Sequence, residues 1–295
     1  MADGPALALE ALNAIGHAEF LAALGNVYEH APRAAESAFA ARPFATVAAL
    51  YAAMRRALRL GTEVERLALL RGHPELARKQ ADLTQDSAQE QTGVGLDRLS
   101  EAEFAAFERL NESYRAKFGF PFIICVRRHT KDSILASFER RLANAGAAEL
   151  ETALDEVDRI AALRLDALVK GEGPLAVSGC LSTHVLDTHG GRPATGISVT
   201  LIELSRSGAP RVIARAVTNA DGRTDAPLIE GRPVPIGRYE LSFAVGDYFS
   251  RAGVPASDPP FLDMVPIRFG VGEPEGRYHV PLLVTPWSYA TYRGS

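Results

Sequence analysis

The sequence predicts a multi-domain protein in which an all-α domain precedes an all-β domain. The chain has 295 residues, more than a typical single domain. Its composition changes near Gly171-Glu172-Gly173-Pro174, and the spacing of apolar residues switches there from a helical period to a period of two. We therefore place a helical domain at residues 1–170, a short linker at 171–175 and a β-sandwich domain at 176–295.

The first half shows helical patterns in three stretches. Phe44 to Leu60 has apolar residues at the spacing of an amphipathic helix. Ser100 is an N-cap candidate with Glu103 three residues on, which predicts a helix that runs to about residue 118. Asp132 to Val169 indicates two helices that are broken near an Asn-Ala-Gly run.

The second half contains short alternating or apolar segments, a pattern typical of a β-sandwich. The predicted strands are Ser198 to Leu204, Arg211 to Thr218, Arg238 to Val245 and Tyr278 to Val284. Turn signals such as Asn219-Ala220-Asp221-Gly222 separate them. Only Gly246 to Gly253 is predicted to form a short helix.

The bulk composition argues against several classes of protein. The formal net charge is -4, so we expect neither nucleic acid nor an anionic membrane as a partner. No apolar run approaches the roughly 18–20 residues of a membrane span, and the first residues lack a secretory signal pattern. Cys125 and Cys180 lie far apart in apolar settings, which predicts two buried free thiols and no metal site. These features together predict a cytoplasmic protein.

Three places in the second half carry candidate functional groups. His184 lies in the first predicted strand, Arg223 follows the Asn-Ala-Asp-Gly turn, and His279 precedes the closing run Tyr292-Arg293-Gly294-Ser295. Taken singly, each histidine could be a core or surface group, Arg223 a solvated charge, and the closing run an edge strand that stops. Together, two imidazoles, a guanidinium and a hydroxyl can activate water and stabilise an oxyanion without a metal.

Three motifs of this half carry a family resemblance: Leu181-Ser182-Thr183-His184-Val185-Leu186-Asp187, Thr218-Asn219-Ala220-Asp221-Gly222-Arg223 and Tyr292-Arg293-Gly294-Ser295. They closely resemble 5-hydroxyisourate hydrolase, the transthyretin-related family of urate breakdown. The resemblance covers residues 175–295 and implies a transthyretin-like sandwich, assembled as a tetramer with active sites at the dimer–dimer interface. It also implies ring-opening hydrolysis of 5-hydroxyisourate to OHCU (2-oxo-4-hydroxy-4-carboxy-5-ureidoimidazoline).

This resemblance implies a role for each candidate residue. We expect His184 and His279 to activate and orient the attacking water, and either of them could be the base. Arg223 is expected to hold the urate-like anion and stabilise charge on the carbonyl oxygen. Tyr292 and Ser295 would position the substrate, with Arg293 as a further anchor. A modified chain end, or loss of Ser295, is therefore expected to damage the hydrolase.

The helical half carries its own candidates. His73 precedes Pro74 and should lie at the end of a helix, because proline cannot continue a helix interior. Further on, Ser87-Ala88-Gln89-Glu90-Gln91 presents hydroxyl, carboxylate and amide groups, and Arg164 lies on the last predicted helix. Each could be a capping or solvated surface residue, whereas a His–Glu pair walled by apolar residues would be a proton-transfer device.

The motifs of this half are Gly25-Asn26-Val27-Tyr28-Glu29-His30, His73-Pro74-Glu75-Leu76, Glu90-Gln91, Phe107-Glu108-Arg109-Leu110-Asn111 and Phe118-Gly119-Phe120-Pro121-Phe122. They resemble the OHCU decarboxylase family over about residues 8–170. The resemblance implies an all-helical, cofactor-free and commonly dimeric enzyme that yields (S)-allantoin. It assigns the acid/base role to His73, with Glu90 as its partner. The interval between these two residues is slightly shorter than is usual, which implies a trimmed loop over residues 78–86.

The same resemblance implies a ligand site in the helical half. Its lining would be Pro74, the run Ser87 to Gln91, and Phe122, Ile123, Ile124, Cys125 and Val126, and Arg164 would contact the substrate.

The two halves therefore resemble consecutive enzymes, and the sequence predicts a bifunctional enzyme with small-molecule substrates and no cofactor. We expect it to self-associate through both domains. The rival interpretation is a transthyretin-like carrier or scaffold with a helical dimerisation module, in which one domain or neither is catalytic.

Overall fold

The computed structural model describes residues 6–77, 85–206, 208–255 and 257–294. Contacts divide the chain into two compact units, Met1–Arg127 with Ile134–Val177 and Arg128–Ser133 with Ser178–Ser295. The first unit is helical and the second is built mainly of strands, which confirms the predicted fold class.

Most of the first unit is formed by helices. They are α1 Leu9–Ala14, α2 His17–Leu24, α3 Arg33–Ala40, α4 Val47–Arg59, α5 Glu63–Gly72, α6 Gln85–Gly93, α7 Glu101–Phe118, α8 Lys131–Arg141 and α9 Gly146–Leu168. Two short parallel strands, β1 Leu7–Ala8 and β2 Val169–Lys170, pair near the ends of this set. The predicted helices are confirmed: Ser100 and Glu103 cap α7 reciprocally, and the helix ends at Gly119 in the left-handed region.

An aromatic cluster fills part of the helical core. Phe122 stacks on Phe138 with 3.7 Å between ring centroids, and Tyr114 packs against both rings edge-on. Phe122 belongs to residues 119–125, an apolar segment without helix or strand that follows α7; a 3₁₀ helix, Val126–Arg128, comes between this segment and α8. The core therefore holds this segment although it has no regular secondary structure.

The described residues of the β unit form three small sheets. Its elements are β3 Gly179–Ser182, β4 Val185–Asp187, β5 Arg192–Pro193, β6 Ser198–Leu204, β7 Arg211–Val217, β8 Ile229–Arg232, β9 Gly237–Ala244, α10 Val245–Arg251, β10 Met264–Val271, β11 Arg277–His279, β12 Leu282–Val284 and β13 Tyr289–Thr291. The strand orders are β10-β9-β6-β7, β11-β3-β8 and β13-β12-β4-β5. Alternating side chains of these strands form a second core, with Leu181, Leu241 and Phe243 fully buried.

Two predictions from the sequence are wrong in detail. The strand predicted from Tyr278 to Val284 is two strands, β11 and β12, because Pro281 between them has no N–H to donate to a ladder. β11 pairs in parallel with β3, and β12 pairs in parallel with β4. Cys125 is buried as expected, but Cys180 is half-exposed because its side chain alternates away from the core along β3.

The search for a membrane-spanning helix gave no candidate in the described part of the chain. None of these helices combines the length and the apolarity that a membrane crossing requires.

Two candidate active sites

The β unit brings His184 and His279 together. β11 lies beside β3 in a parallel register that sets His279 opposite Ser182. Beyond this pairing, Val280 N donates to Ser182 O and Leu282 N donates to His184 O. The two imidazole rings are nearly parallel, with His184 Nδ1 3.0 Å from His279 Nε2. Residues 95 positions apart therefore form one hydrogen-bonded pair.

A serine that the sequence analysis did not select extends this pair. Ser182 Oγ lies 3.0 Å from His279 Nδ1. Both ring nitrogens of His279 are thus engaged, whereas His184 uses only Nδ1 within the chain of hydrogen bonds. The alternation of a strand was the missed signal, because Ser182 and His184 are two residues apart and share one face.

Arg223 reaches the histidine pair from a tight turn. Arg223 forms a β-bridge with His184, and Val185 N donates to Gly222 O. Gly222 has φ +72° and a Cβ there would lie 2.3 Å from Val185 O, so only glycine fits this turn. Burial and then the positive charge of Arg223 lower the pKa of both histidines, and His279 lowers the pKa of His184 further. Both imidazoles are therefore held neutral near pH 7.

The closing run joins the site only in part. Gly294 N donates to His279 O at 2.8 Å, and a Cβ on Gly294 would lie 2.8 Å from His279 Cδ2. Arg293 instead covers the ring of Tyr278, at 4.9 Å from its centroid, and Tyr292 is 57% exposed. Ser295 lies outside the described residues. The structure thus unites His184, His279 and Arg223, while substrate contacts of Tyr292, Arg293 and Ser295 stay predictions.

The helical unit places His73 at a helix end, as predicted. His73 is the C-cap residue of α5, with extended backbone, and Pro74 follows it. Its Nδ1 lies 3.0 Å from Leu69 O. Because a carbonyl only accepts, Nδ1 carries the proton and Nε2 of the neutral ring is the basic atom. Burial lowers the pKa of His73 more strongly than the hydrogen bond to Leu69 and the charge of Glu29 raise it.

The Arg164 guanidinium binds two carboxylates of this site. Arg164 donates from Nε and Nη2 to the two oxygens of Glu90, at 3.1 and 3.2 Å. Its Nη1 donates to Glu29 Oε2 at 3.2 Å. The Arg164 side chain is only 7% exposed, so this residue is no solvated surface charge. Glu29 was not selected as a site residue, although it lies in a motif that the sequence analysis singled out.

The remaining predicted site residues of the helical half are hydrogen-bonded within the protein, buried or half-buried. Ser87 Oγ donates to Glu29 Oε2 at 3.1 Å, and Gln91 Oε1 accepts from Ala77 N at 3.1 Å. Phe122, Ile123 and Ile124 are buried in the helical core. Pro74 is half-buried beside His73. Their contacts with a substrate stay predictions. Of the loop predicted over residues 78–86, residues 78–84 lie outside the described part of the chain, and residues 85 and 86 belong to α6.

We searched the described residues for groups of three or more His, Cys, Asp and Glu side chains that could hold a metal ion, and found none.

Each unit thus presents an acid–base site, which defines a chain with two candidate enzyme domains. Comparisons with known proteins assign them. The OHCU decarboxylase family model matches residues 13–166, and the HIUase/Transthyretin family model matches residues 181–294. The chain therefore belongs to the OHCU decarboxylase family in its helical half and to the HIUase/transthyretin family in its β half.

Individual relatives cover each half and the whole. The 5-hydroxyisourate hydrolase of Deinococcus radiodurans is 58% identical over 116 residues, which are 39% of this chain and 95% of that protein. The 2-oxo-4-hydroxy-4-carboxy-5-ureidoimidazoline decarboxylase of Haloferax volcanii is 43% identical over 159 residues, 54% of this chain and 94% of that protein. A crystal structure of (S)-allantoin synthase is 35% identical and covers 98% of this chain and 100% of its own, with a TM-score of 0.52.

Proposed function

We propose that this chain catalyses two consecutive steps of urate breakdown. The β unit hydrolyses 5-hydroxyisourate to OHCU, and the helical unit decarboxylates OHCU to (S)-allantoin. The observation that carries the proposal is the presence of both family sites in one chain, with His184 hydrogen-bonded to His279 in the β unit and Glu90 bound by Arg164 in the helical unit. The similarity over the whole length to an (S)-allantoin synthase supports the pairing of the two activities.

In the hydrolase site we assign the base to His184. In the base-ready arrangement, His184 Nδ1–H donates to His279 Nε2, and His279 Nδ1–H donates to Ser182 Oγ. This order leaves a lone pair on His184 Nε2, which takes a proton from water as the water oxygen attacks the amide carbon. Arg223 stabilises the oxyanion. The ring C–N bond then breaks, and His184 returns the proton to the leaving nitrogen.

In the decarboxylase site we assign proton transfer to His73. The carbon–carboxylate bond breaks, CO2 leaves, and the electron pair passes into the imidazoline ring. A proton on His73 Nε2 then moves to one face of the resulting carbanion, which gives a single enantiomer. Glu90 fixes the orientation of the Arg164 side chain through two hydrogen bonds.

Self-association through both domains is part of the proposal. We expect a hydrolase tetramer, because Trp287, Tyr289 and Tyr292 are large aromatic residues that are 55%, 46% and 57% exposed in the single chain. We expect the decarboxylase units to pair as well. Cys125 and Cys180 form no disulfide in the described residues, which is consistent with a reducing compartment, and we propose a cytoplasmic location. Both substrates decay spontaneously, and linking the two enzymes would raise their effective concentration.

One assay tests both activities and the carrier alternative. Uricase generates 5-hydroxyisourate from urate in the cuvette, the protein is added, and ultraviolet decay and circular dichroism of the product are followed together. Faster decay with optically active allantoin supports both assignments. Fast loss of 5-hydroxyisourate with racemic product would refute the decarboxylase, and an unchanged decay would leave a carrier or scaffold protein as the better interpretation.

A further inference from the structure

Glu29 is a second buried carboxylate at the decarboxylase site. It lies in the turn between α2 and α3 and is 8% exposed. One edge of the Arg164 guanidinium binds Glu90, and Nη1 on the other side binds Glu29 at 3.2 Å. The position of Arg164 is therefore determined by both glutamates.

Contacts of Glu29 link it to His73. Ser87 donates to its Oε2 at 3.1 Å, while His30 Nε2 lies 4.0 Å from its Oε1. His30 in turn packs edge-on against His73, with 6.0 Å between ring centroids. His30 has φ +63°, an uncommon backbone conformation for a residue with a side chain. Glu29 thus lies at the centre of a connected group that includes the acid–base histidine.

The chemistry of the site creates a need for negative charge near His73. Its Nδ1–H is committed to Leu69 O, so a proton destined for the carbanion must sit on Nε2. A ring that carries both protons is a cation, and a buried cation is costly without a counter-charge. The charged or titratable groups that act on His73 are Glu29, Arg164 and His30, and Arg164 is itself bound by Glu90. Two carboxylates and one guanidinium carry a net charge of -1, which a protonated His73 would neutralise.

We propose that Glu29 is a positioning residue of the decarboxylase: it fixes Arg164 together with Glu90 and provides the counter-charge for the protonated form of His73. This inference rests on the proposed decarboxylation. After the carbon–carboxylate bond breaks and CO2 leaves, the proton on Nε2 passes to the carbanion and His73 becomes neutral again. The influence of Glu29 on the pKa of His73 has the required sign, since it raises that pKa.

The test compares Glu29→Gln, Glu29→Asp and Glu103→Gln in the full chain. Glu103 is a matched control, because it is also a buried glutamate that accepts a serine hydroxyl at 3.1 Å, but it caps α7. OHCU is made in place from urate with uricase and an excess of the His73→Ala chain, whose hydrolase site is intact. The rate of (S)-allantoin formation is then measured by circular dichroism between about pH 4 and pH 8, a range that extends well below the ordinary pKa of histidine because burial lowers the pKa of His73.

At the alkaline end of the range, we expect the rate of Glu29→Gln to be about tenfold below the wild-type rate, which is less than the full contribution of acid–base catalysis. As the pH falls, the rate of the variant should approach the wild-type rate. The reason is that loss of the carboxylate makes protonation of His73 harder. Glu29→Asp should keep the wild-type pH profile at a lower rate, and Glu103→Gln should match the wild type.

Two results would overturn the inference. One is a Glu29→Gln profile that equals the wild type or is reduced by the same factor at every pH. The other is a Glu29→Asp profile displaced to lower pH, although this variant retains the negative charge. This second result decides the question even if the Glu29→Gln variant does not fold. If the wild-type chain itself produced no optically active allantoin, the proposed decarboxylase would fail instead.

Discussion

At the scale of single residues, the proposed hydrolase site depends on how closely one glycine approaches the ring of His279. Gly294 binds the backbone of His279 and leaves no room for a side chain, because a Cβ would lie 2.8 Å from His279 Cδ2. The His279 ring cannot move away freely, since both its nitrogens are bonded, to Ser182 and to His184. Glycine is therefore required for steric reasons at position 294 of the Tyr-Arg-Gly-Ser motif.

We predict that Gly294→Ala displaces the His279 ring and slows the hydrolysis of 5-hydroxyisourate by roughly tenfold to a hundredfold, as small misplacements of catalytic groups do. The measurement is the second-order rate constant, taken from the ultraviolet decay of the substrate. Gly272→Ala is the control, because a Cβ there meets nothing within 4 Å. A Gly294→Ala variant as fast as the control would show that the ring tolerates the displacement.

Charge at the same site controls the pH range of the base. Burial and Arg223 lower the pKa of His184 below its ordinary value of 6.5, so the neutral, proton-accepting ring persists to more acidic pH. We predict that Arg223→Gln raises the pKa of His184, which can be followed through the histidine ring resonances in an NMR titration. Arg215→Gln, which removes a charge on β7, should leave that pKa in place. An unchanged pKa in Arg223→Gln would contradict the proposed electrostatic contact.

At the scale of elements, charged side chains hold the non-helical segment between α7 and α8. Arg141 Nη1 on α8 donates to Ile123 O at 2.8 Å, and Glu156 on α9 accepts from Cys125 N at 2.8 Å. A buried segment without regular secondary structure has to satisfy its backbone groups in this way. The predicted lining of the decarboxylase site is thus positioned by bonds to α8 and α9.

We predict that Glu156→Ala leaves the Cys125 N–H without its acceptor and lowers the free energy of unfolding of the helical unit by about 1–3 kcal/mol. Glu151→Ala on the same helix removes two ion pairs, with Arg59 and Arg66, in which the Glu151 side chain is 54% exposed, and it should cost at most about 1 kcal/mol. Denaturation followed by the helical circular dichroism signal compares them. Equal losses would mean that the bond to Cys125 contributes no more than a surface pair.

Local sequence signals predicted several helices and strands correctly, and the error in one predicted strand has a specific cause. The capping pair Ser100 and Glu103 marked the start of α7, and the Asn-Ala-Asp-Gly turn marked the approach of Arg223, because both signals act over a few residues. The strand expected from Tyr278 to Val284 was divided by Pro281, and each part found a different partner strand. Strand pairing is a long-range property that a one-dimensional pattern does not contain.

At the scale of the whole molecule, each candidate site lies within a single unit. His184, His279 and Arg223 belong to the β unit, and His73, Glu90 and Arg164 belong to the helical unit. Because the groups of one site are supplied by one unit, the two reactions should be separable by mutation.

We predict that His73→Ala keeps hydrolysis and gives racemic allantoin, while His184→Ala slows only the first step. An equimolar mixture of the two variants should again produce optically active allantoin, because OHCU released by one chain can enter the intact site of the other. Ultraviolet decay and circular dichroism report the two steps separately. Racemic product from the mixture, with wild-type chains active, would show that the two activities depend on each other.

The sequence by itself determined the two fold classes, the order of the two enzyme families and the residue types of both sites, because helical periodicity, strand alternation and short motifs are local properties. Only the tertiary structure decided which groups touch. It joined His184, His279 and Ser182 in one hydrogen-bonded chain and turned Arg164 towards two carboxylates, Glu29 and Glu90. The physical reason is that these partners lie tens of residues or more apart, up to 135 for Arg164 and Glu29, and meet only because strand register and helix packing bring them together.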